Sequence, residues 1–529
     1  MLLLPGLLLL LLLAAAPAVH GGSPWAGGPA VAKAAALVKR MTFDEKLSMI
    51  YGRNKKTDYP LPAYYVGNVP GTPRLGLPSI NLEDGPQGVA DGLTNVTNWP
   101  SQLTVSMSWD RELMRTWGAA MGAEQRLKGT NVMLGPDVNL ARVPWSGRVF
   151  ETMGEDPYVA SQLVAPLVQG IQSNNISACI KHFIFNNHEV NRQTFSANVD
   201  ERTGRELYAP AFFAAVDAGV GSAMCGKNAR NPHHNLISRA TSERLFVRTA
   251  FNRVNNTFNC ESEGALTLLK EDGGFRGWVV TDWGAQHDSI SSALAGLDQQ
   301  MEWIQDANLT RYNTIGFANP EFRKALQNGT VPQSRLDDMV RRMVEPMLAL
   351  GMVDKPPQPA TENTLANAQS EARFALAATI AKQSTVLLKN AGDILPIRKD
   401  KSGSYPSVAL FGNPYYRAGR GSGGVAYTPI AHVKQNAACT ASVGCNNHTA
   451  WMAQHLYGAG MTNMTIGNDR AQAGIHPFNL SSFNVIRAAK EAAAADIAIV
   501  IVYIVTGEGT AKCNINANML RNLLLKMQK

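Results

Sequence analysis

Two carboxylates in this 529-residue chain occupy positions suited to chemistry on a sugar. Asp282 ends the bulky apolar run 278–280, and a carboxylate that closes a buried strand gives up hydration, which calls for a functional reason. Glu508 lies between two glycines just after the apolar run 497–503, where the backbone can turn sharply towards a ligand. Glycoside hydrolysis needs two such carboxylates flanking one sugar. The alternatives are that Asp282 caps the next helix and that Glu508 is a solvated loop residue.

Other polar and aromatic side chains also follow short apolar runs. Lys181 and His182 close the run 177–183 and are placed to donate hydrogen bonds to sugar hydroxyls; alternatively, His182 is a core histidine and Lys181 is exposed. Asp84, before a Gly-Pro pair, either accepts hydrogen bonds from sugar hydroxyls or makes a turn. Trp283 either stacks on the apolar face of a pyranose or belongs to the core.

Arg148 has two interpretations of the same kind. It follows the apolar run 131–137 and would be a charged donor beside Asp84. Equally, it would form a structural ion pair with Glu151 or Glu155. The residues alone leave both interpretations open.

The elements that must position these residues alternate between strands and helices. Short apolar runs recur at 78–86, 131–137, 177–183, 219–225 and 278–282, with helical stretches such as 34–50, 158–172 and 202–218 between or before them. Thr42 and Glu45 have the spacing of a capping box, which predicts a helix start there. Strand and helix in alternation, with polar residues at the strand exits, are typical of a (β/α) barrel.

The chain becomes proline-rich at 354–359, which predicts a stiff linker. Beyond it, residues 366–382 have an amphipathic helical pattern. The runs 385–388, 407–412 and 497–503 are of the buried-strand type. These elements predict a second α/β domain.

Composition and the chain's start set further limits. The net charge of +8 includes no long run of Lys or Arg, so nucleic-acid binding gets little support. Residues 1–20 have the apolar core and small residues of a secretory signal, and eight Asn-x-Ser/Thr sites agree with export. The six cysteines fit an oxidising compartment, with Cys225–Cys260 and Cys439–Cys445 as plausible bridges. No metal-ligand spacing is found, which predicts no structural metal.

Together, the motifs stand in an order that resembles glycoside hydrolase family 3, which includes β-glucosidases, β-xylosidases and exo-glucanases. They are Asp84-Gly85-Pro86, Gly147-Arg148 with Gly154-Glu155-Asp156-Pro157-Tyr158, Lys181-His182-Phe183, Val199-Asp200-Glu201-Arg202 and Thr281-Asp282-Trp283-Gly284. The stretch 384–390, with Leu395-Pro396, is similar to the opening of the family's second domain. The resemblance runs from about Met41 to Glu508 and is broken by one insert.

The resemblance implies a TIM-like (β/α)8-type barrel, an α/β sandwich domain and a retaining mechanism without metal or organic cofactor. Asp282 would be the nucleophile, and Glu508, from the second domain, the general acid/base. The residues that would hold or line the sugar are Asp84, Arg148, Lys181, His182, Arg192, Met224, Phe251, Trp283 and Ser422.

Two stretches depart from the family pattern. The polar and basic insert 226–250 separates Cys225 from Phe251, and we expect it to be a mobile excursion because it has few apolar residues to bury. The tail 510–529 departs from the stretch that usually follows the family's glutamate, which predicts a truncated second domain. We interpret both as unspliced or misjoined coding sequence.

The expected organisation is a signal at 1–20, a barrel domain at 30–353, a linker at 354–365 and an incomplete second domain at 366–529. The expected function is that of a secreted β-glucosidase acting on β-linked oligosaccharides or aryl and alkyl β-glucosides, with no nucleic-acid partner and no membrane association after signal removal. The alternatives are β-xylosidase specificity, or a defective sugar-binding relative whose truncated second domain cannot hold Glu508.

Overall fold

The structure is a computed structural model that describes most of the chain before residue 404. The described residues are 21–52, 65–89, 93, 95–97, 99–144, 146–189, 195–226, 253–301, 316–357, 366–403 and 406, with the backbone of 408–411, 464–466 and 497–500. The predicted signal, nearly all of the insert 226–250 and the tail 510–529 lie outside these residues. Most buried apolar side chains form one core between a curled sheet and the helices around it.

Twelve α-helices lie within the described part of the chain. They are α1 (Pro29–Arg40), α2 (Phe43–Met49), α3 (Gln102–Ser106), α4 (Arg111–Leu127), α5 (Pro157–Gln172), α6 (Glu201–Thr203), α7 (Pro210–Asp217), α8 (Glu263–Thr267), α9 (Ser289–Ala295), α10 (Pro320–Gln327), α11 (Gln333–Ala349) and α12 (Glu371–Ser384). The predicted capping box is confirmed: Thr42 Oγ1 accepts the Glu45 N–H at 3.2 Å, and Glu45 Oε2 accepts the Thr42 N–H at 2.8 Å. Its effect is to start α2 as a new helix after α1, so the periodic stretch 34–50 forms two helices.

The strands of the same residues are β1 (Gly67–Val69), β2 (Ile80–Asp84), β3 (Val132–Leu134), β4 (Ser177–Phe183), β5 (Ser196–Ala197), β6 (Ser222–Cys225), β7 (Arg253–Val254), β8 (Thr257–Phe258), β9 (Trp278–Thr281), β10 (Val408–Phe411), β11 (Met464–Ile466) and β12 (Ile497–Val500). The main sheet has the order β1-β2-β3-β4-β6-β9. Its pairs are parallel except for β1 with β2, and its registers are Leu82↔Val132, Val132↔Ser177, Cys179↔Ser222 and Ser222↔Trp278.

The two ends of the main sheet approach each other. Residues 299–300 make parallel bridges to Val280 on one side and to Tyr51 on the other, which extends the sheet beyond β9. Trp283, just after β9, donates its Nε1–H to the carbonyl of Val66, next to β1, at 3.2 Å. The strands therefore curl into a barrel, as the alternating pattern predicts.

Helices α4 and α5 pack closely against each other outside the sheet. A Cβ built on Gly170 would lie 2.2 Å from the carbonyl oxygen of Arg115, and one on Gly122 would lie 2.5 Å from that of Ile171. Only glycine leaves room for backbones at this separation. The pair buries large side chains such as Trp117 between the helices and the sheet.

Two sequence-based elements differ in the structure. The stretch 202–218 is divided into α6, a π-helical turn at Gly204–Tyr208 and α7, because Pro210 cannot continue the hydrogen-bond ladder and starts a new helix. The run 385–388 is not a strand: Val386, Leu387 and Leu388 are 63%, 61% and 91% exposed. An apolar run forms a strand only where a neighbour supplies hydrogen-bond partners. No strand of the described residues pairs with this run.

A second sheet lies beyond the linker. It has the order β11-β10-β12, and both of its strand pairs are parallel, with Val408 opposite Met464 and Ile497. The predicted runs 407–412 and 497–503 contribute β10 and β12. A parallel sheet agrees with the expected α/β character of this part of the chain.

The disulfide between Cys225 and Cys260 joins the end of β6 to the short turn after β8, with a sequence separation of 35. The pairing expected from the sequence is therefore confirmed. Replacing both cysteines by serine is expected to lower the free energy of unfolding by about 3–4 kcal/mol, because the bridge restricts the unfolded chain. Urea unfolding of the oxidised protein, the reduced protein and the double variant measures the effect. Equal midpoints in all three would contradict it.

Candidate active site

The carboxyl ends of five parallel strands meet at one edge of the curled sheet. Their polar residues are Asp84 at the end of β2, Asp137 just after β3, Lys181 and His182 near the end of β4, and Asp282 directly after β9, with Met224 in β6 between the last two. All of these residues are at most 5% exposed. Buried strand ends that converge in this way form the active-site mouth in parallel α/β barrels.

His182 lies at the centre of this cluster. Its Nε2 is 3.6 Å from Asp282 Oδ2 and 3.2 Å from Arg148 Nη1, and its Nδ1 is 3.2 Å from Asp137 Oδ2. Since a guanidinium only donates, Nε2 is assigned as the acceptor and Nδ1 as the protonated nitrogen that faces Asp137. The imidazole thus lies between the carboxylate of Asp282 and a buried carboxyl group behind it.

Asp282 is held by backbone bonds. Its Oδ1 accepts the N–H of Trp283 at 2.7 Å, and its own N–H donates to the carbonyl of Cys225 in β6 at 3.1 Å. These two bonds fix the carboxylate against the strand end, with Oδ1 turned to the backbone and Oδ2 turned to His182. The hypothesis that Asp282 only caps a helix is not supported, because Asp288 caps the next helix, α9.

Asp84 and Lys181 form a second pair at the same edge. Lys181 Nζ lies 3.9 Å from Asp84 Oδ1, and both side chains are buried. The carbonyl of Asp84 accepts the Gln125 side-chain amide at 3.0 Å, which ties the end of β2 to α4. The structure places Lys181 inside the cluster, so the alternative of an exposed lysine is wrong.

Arg148 is paired with Glu151. Its Nε and Nη2 each lie 2.8 Å from a carboxylate oxygen of Glu151, and the two side chains are 5% and 0% exposed. Of the two interpretations that the sequence left open for Arg148, the structure contains the ion pair with Glu151. Arg148 Nη1 also lies within hydrogen-bond distance of His182 Nε2. The bidentate geometry fixes the plane of the guanidinium beside the imidazole.

Asn139 supports His182 through the backbone. Its Oδ1 accepts the His182 N–H at 2.8 Å, and its Nδ2 donates to the His182 carbonyl at 3.0 Å. Its own N–H donates to Asp137 Oδ1 at 2.9 Å. No role for Asp137 or Asn139 was predicted from the sequence. Asp137 ends an apolar run and carried the same signal as Asp84, whereas nothing local marks Asn139.

Burial raises the pKa of Asp137 to about 8 from 3.8, with Glu151 adding to the rise and Arg148 and Lys181 opposing it. Between pH 3.8 and about pH 8 the folded state keeps a proton on Asp137 that the unfolded state has released. The free energy of unfolding therefore falls as the pH rises through this range. The Asp137→Asn variant stays neutral, and we expect its free energy of unfolding to fall less between about pH 5 and about pH 8. Urea titrations across this range test the prediction, and parallel pH profiles of the two proteins would contradict it.

A small cleft opens beside Arg148. It is lined by Asp137, Asn139, Leu140, Ala141, Ser146, Arg148, Val149, Thr152, Asn186, Asn187 and Glu189. Asn186 is 7% exposed, and its Oδ1 has no hydrogen-bond partner among the residues that the structure describes. A buried amide oxygen without a partner is suited to accept a hydrogen bond from a ligand hydroxyl or a water molecule.

Trp283 and Met224 are buried, with exposed fractions of 7% and 2%. The Trp283 ring lies against β1, where a Cβ on Gly67 would be 3.2 Å from its Cζ2. Arg192, Phe251, Ser422 and Glu508 lie outside the described residues, as does the bridge Cys439–Cys445. Among the residues that are described, no group of three or more His, Cys, Asp or Glu side chains could hold a metal ion.

Comparison with known families gives two matches along the chain. Residues 63–345 match the Glycosyl hydrolase family 3 N terminal domain, and residues 385–527 match the Glycosyl hydrolase family 3 C-terminal domain. The first match contains the described cluster around Asp282. The second contains Ser422 and Glu508.

Curated relatives and solved structures agree with these matches. "Probable beta-glucosidase L" of Aspergillus terreus is 33% identical over 84% of this chain and 55% of its own length. The Beta-D-glucoside glucohydrolase structure from Trichoderma reesei has a TM-score of 0.72 at 28% identity, over 96% of this chain and 66% of that one. DesR, a β-glucosidase from Streptomyces venezuelae in complex with D-glucose, has a TM-score of 0.60 at 31% identity, over 72% and 44%.

These likenesses confirm the predicted fold class, a TIM-like (β/α) barrel followed by an α/β domain. The chain spans about half the length of the curated relatives it matches, 55% in the case of the Aspergillus terreus protein. In the described part of the chain, no helix has the length and apolar character needed to cross a membrane.

Proposed function

This chain belongs to glycoside hydrolase family 3, and we propose that it is a secreted retaining β-glycosidase that releases terminal glucose from β-glucosides. The observation that carries the proposal is the place of Asp282: a buried carboxylate at a strand end, with one oxygen held by the backbone and the other beside His182. A nucleophile for glycosyl transfer needs this fixed orientation towards the anomeric carbon.

In the first step, Asp282 attacks the anomeric carbon while Glu508 protonates the leaving oxygen, and the glycosidic bond breaks. In the second step, Glu508 takes a proton from water, the resulting oxygen nucleophile displaces Asp282, and glucose leaves with its β configuration. Asp282 acts from the barrel, and Glu508 acts from the part of the chain matched by the C-terminal domain.

The sugar is held by side chains that face its hydroxyls. Asp84 accepts hydrogen bonds, Lys181 and Arg148 donate them, and His182 lies beside Asp282 at the same edge. The Asp84–Lys181 separation of 3.9 Å suits two groups that share one ligand hydroxyl. Further contacts are assigned to Arg192, Met224, Phe251, Trp283 and Ser422, and we add Asn186, whose buried Oδ1 lacks a partner within the described part of the chain.

Glucose is the favoured sugar because the relatives named above are β-glucosidases and DesR was solved with D-glucose. The proposed organisation remains a signal at 1–20, a barrel at 30–353, a linker at 354–365 and a second domain at 366–529. Export is supported by the signal pattern, the eight glycosylation sites and the Cys225–Cys260 bridge.

A panel of aryl β-glycosides tests this function. The purified protein is expected to hydrolyse 4-nitrophenyl β-glucoside faster than the β-xyloside, and NMR of the first product should show the β anomer. Release of the α anomer would overturn the retaining mechanism. Faster turnover of the β-xyloside would reassign the sugar. Binding of glucose without turnover of any substrate would indicate a defective relative.

A further inference from the structure

The residues immediately after the predicted linker are hydrogen-bonded to the barrel. This docking segment, residues 366–370, precedes α12. The carbonyl of Ala366 accepts the side chain of Lys128, and the Ala368 N–H donates to the Asn95 carbonyl at 2.8 Å. Gln369 Nε2 donates to the Val96 carbonyl at 3.1 Å. The docking segment therefore lies along residues 95–96 of the barrel.

A small apolar cluster supports the same contact. It is formed by Tyr65, Val89, Leu93, Val96 and Ala368, separately from the main core. The Tyr65 hydroxyl donates to the Lys128 carbonyl at 2.8 Å. The contact is thus built from main-chain bonds, buried apolar surface and a buried lysine together.

Glu124, on α4, lies beneath this contact and is fully buried. Its Oε1 accepts the N–H of Thr97 at 3.1 Å and the Thr97 hydroxyl at 2.5 Å, and its Oε2 accepts Trp99 Nε1–H at 2.9 Å. Arg373 Nε, from α12, is 3.7 Å from Oε1. One carboxylate therefore contacts both the barrel loop and the first turn of the helix after the linker.

The next residue of α4 reaches the proposed sugar site. Gln125 Nε2 donates to the carbonyl of Asp84 at 3.0 Å, and Gln125 Oε1 accepts the Thr130 hydroxyl at 2.5 Å. Burial raises the pKa of Glu124, while Arg373 opposes that rise. One turn of α4 is thus in contact with the end of β2 and with the first turn of α12.

We infer that Glu124 is a positioning residue. Its contact with Arg373 fixes the start of the C-terminal part of the chain on the barrel, at a set position relative to Asp84. The catalytic part of the inference rests on the proposed function, in which Glu508 must reach Asp282 from that part of the chain. The place of Glu508 would then depend on a contact far from both carboxylates in sequence.

The test compares Glu124→Gln, Arg373→Gln and Arg373→Lys. Glutamine at 124 keeps an oxygen for Thr97 but removes the charge that faces Arg373. We expect each glutamine variant to lower kcat on an alkyl β-glucoside by roughly 10- to 100-fold, because small displacements of a catalytic group have effects of this size. The loss on an activated aryl glucoside should be smaller, since that leaving group needs little protonation from Glu508. Lysine at 373 should restore part of the rate.

The double variant with glutamine at 124 and 373 should be no slower than the worse single variant, because both changes remove the Glu124–Arg373 contact. Glutamine at 124 also loses the acceptor for Trp99 Nε1–H, so we expect it to be the slower single variant. Glu112→Gln is the matched control. Glu112 lies on the same helix, 3.7 Å from Arg115, but the two side chains are 80% and 46% exposed. We expect this control to turn over both substrates like the unaltered protein. Multiplying losses in the double variant, or equal losses on the two substrates, would overturn the inference.

Hydrogen exchange gives a readout that does not depend on catalysis. Amides of 366–384 should exchange faster in Glu124→Gln and Arg373→Gln, whereas those of α5 should not change. Unchanged exchange at 366–384 would overturn the inference even where activity falls. If the unaltered protein hydrolyses no glycoside, the proposed function fails, and the exchange experiment alone decides the contact. Arg373 is 18% exposed, so its variants are the informative ones if Glu124→Gln does not fold.

Discussion

The Asp282→Ala variant is expected to lose hydrolysis of aryl β-glucosides by roughly 10⁵-fold in kcat, since removal of a nucleophile abolishes the covalent route. The fold should persist, because Asp282 follows β9 and its main-chain bond to Cys225 does not involve the side chain. Stopped and continuous assays measure the rate, and circular dichroism checks the fold.

Adding azide to the Asp282→Ala variant tests the nucleophile role directly. In Asp282→Ala, azide can occupy the space left by the carboxylate and attack the anomeric carbon, which gives the α-glucosyl azide and releases the aryl alcohol. Asp288→Ala is the matched control, because Asp288 is an exposed carboxylate of the same loop whose Oδ1 caps α9 at the N–H of Ser291, 2.7 Å away. Its loss should lower stability by about 1 kcal/mol and leave kcat unchanged. Turnover in Asp282→Ala within about tenfold of the unaltered rate would exclude a nucleophile role.

The Glu151→Gln variant is expected to lower both stability and activity. Arg148 and Glu151 are buried and joined by two 2.8 Å bonds, so a neutral partner leaves a buried guanidinium without its counter-charge. The expected loss in the free energy of unfolding is about 3–5 kcal/mol. Because Arg148 Nη1 is 3.2 Å from His182, its displacement should also lower kcat/KM by roughly 100-fold.

Urea unfolding and steady-state kinetics measure these two effects. The control is Glu206→Gln, since Glu206 pairs with Arg202 at 3.1 Å but both side chains are largely exposed, at 60% and 83%. An exposed pair of this kind contributes little, so neither quantity should change in the control. A Glu151→Gln variant as stable as the control would mean that the buried pair has no net role in holding Arg148.

The sequence predicted the strand ends of the barrel well. Asp84, Lys181, His182 and Asp282 each follow an apolar run, and that local pattern is enough to place them at one edge of a parallel sheet. The partners of these residues were harder to predict. Asn139 reaches His182 across 43 residues of chain, and such a bond depends on how the loop after β3 packs on β4 rather than on local spacing.

By contrast, local sequence patterns predicted the structure less well in the region after the predicted linker. The apolar run 385–388 has the composition of a buried strand, yet in the structure it is exposed and unpaired within the described residues. Strand formation depends on a neighbour that the run itself does not specify. The docking segment was predicted wrongly for the same reason: residues 366–370 were included in the helix expected at 366–382, which begins only at Glu371. Their bonds are to residues between 238 and 273 positions earlier.

The hydrogen bond between Trp283 and Val66 affects when the site forms during folding. It joins residues 217 positions apart, at the place where the curled sheet meets itself, and Trp283 is the neighbour that holds Asp282 Oδ1. Closing so long a loop costs more chain entropy than forming nearby strand pairs and helices, so we expect this closure to come after them. A chain that already has most of its helices and strand pairs therefore still lacks the environment of Asp282. Recovery of hydrolysis after unfolding should thus lag behind recovery of helix content, so that activity reports the closed barrel rather than the folded elements.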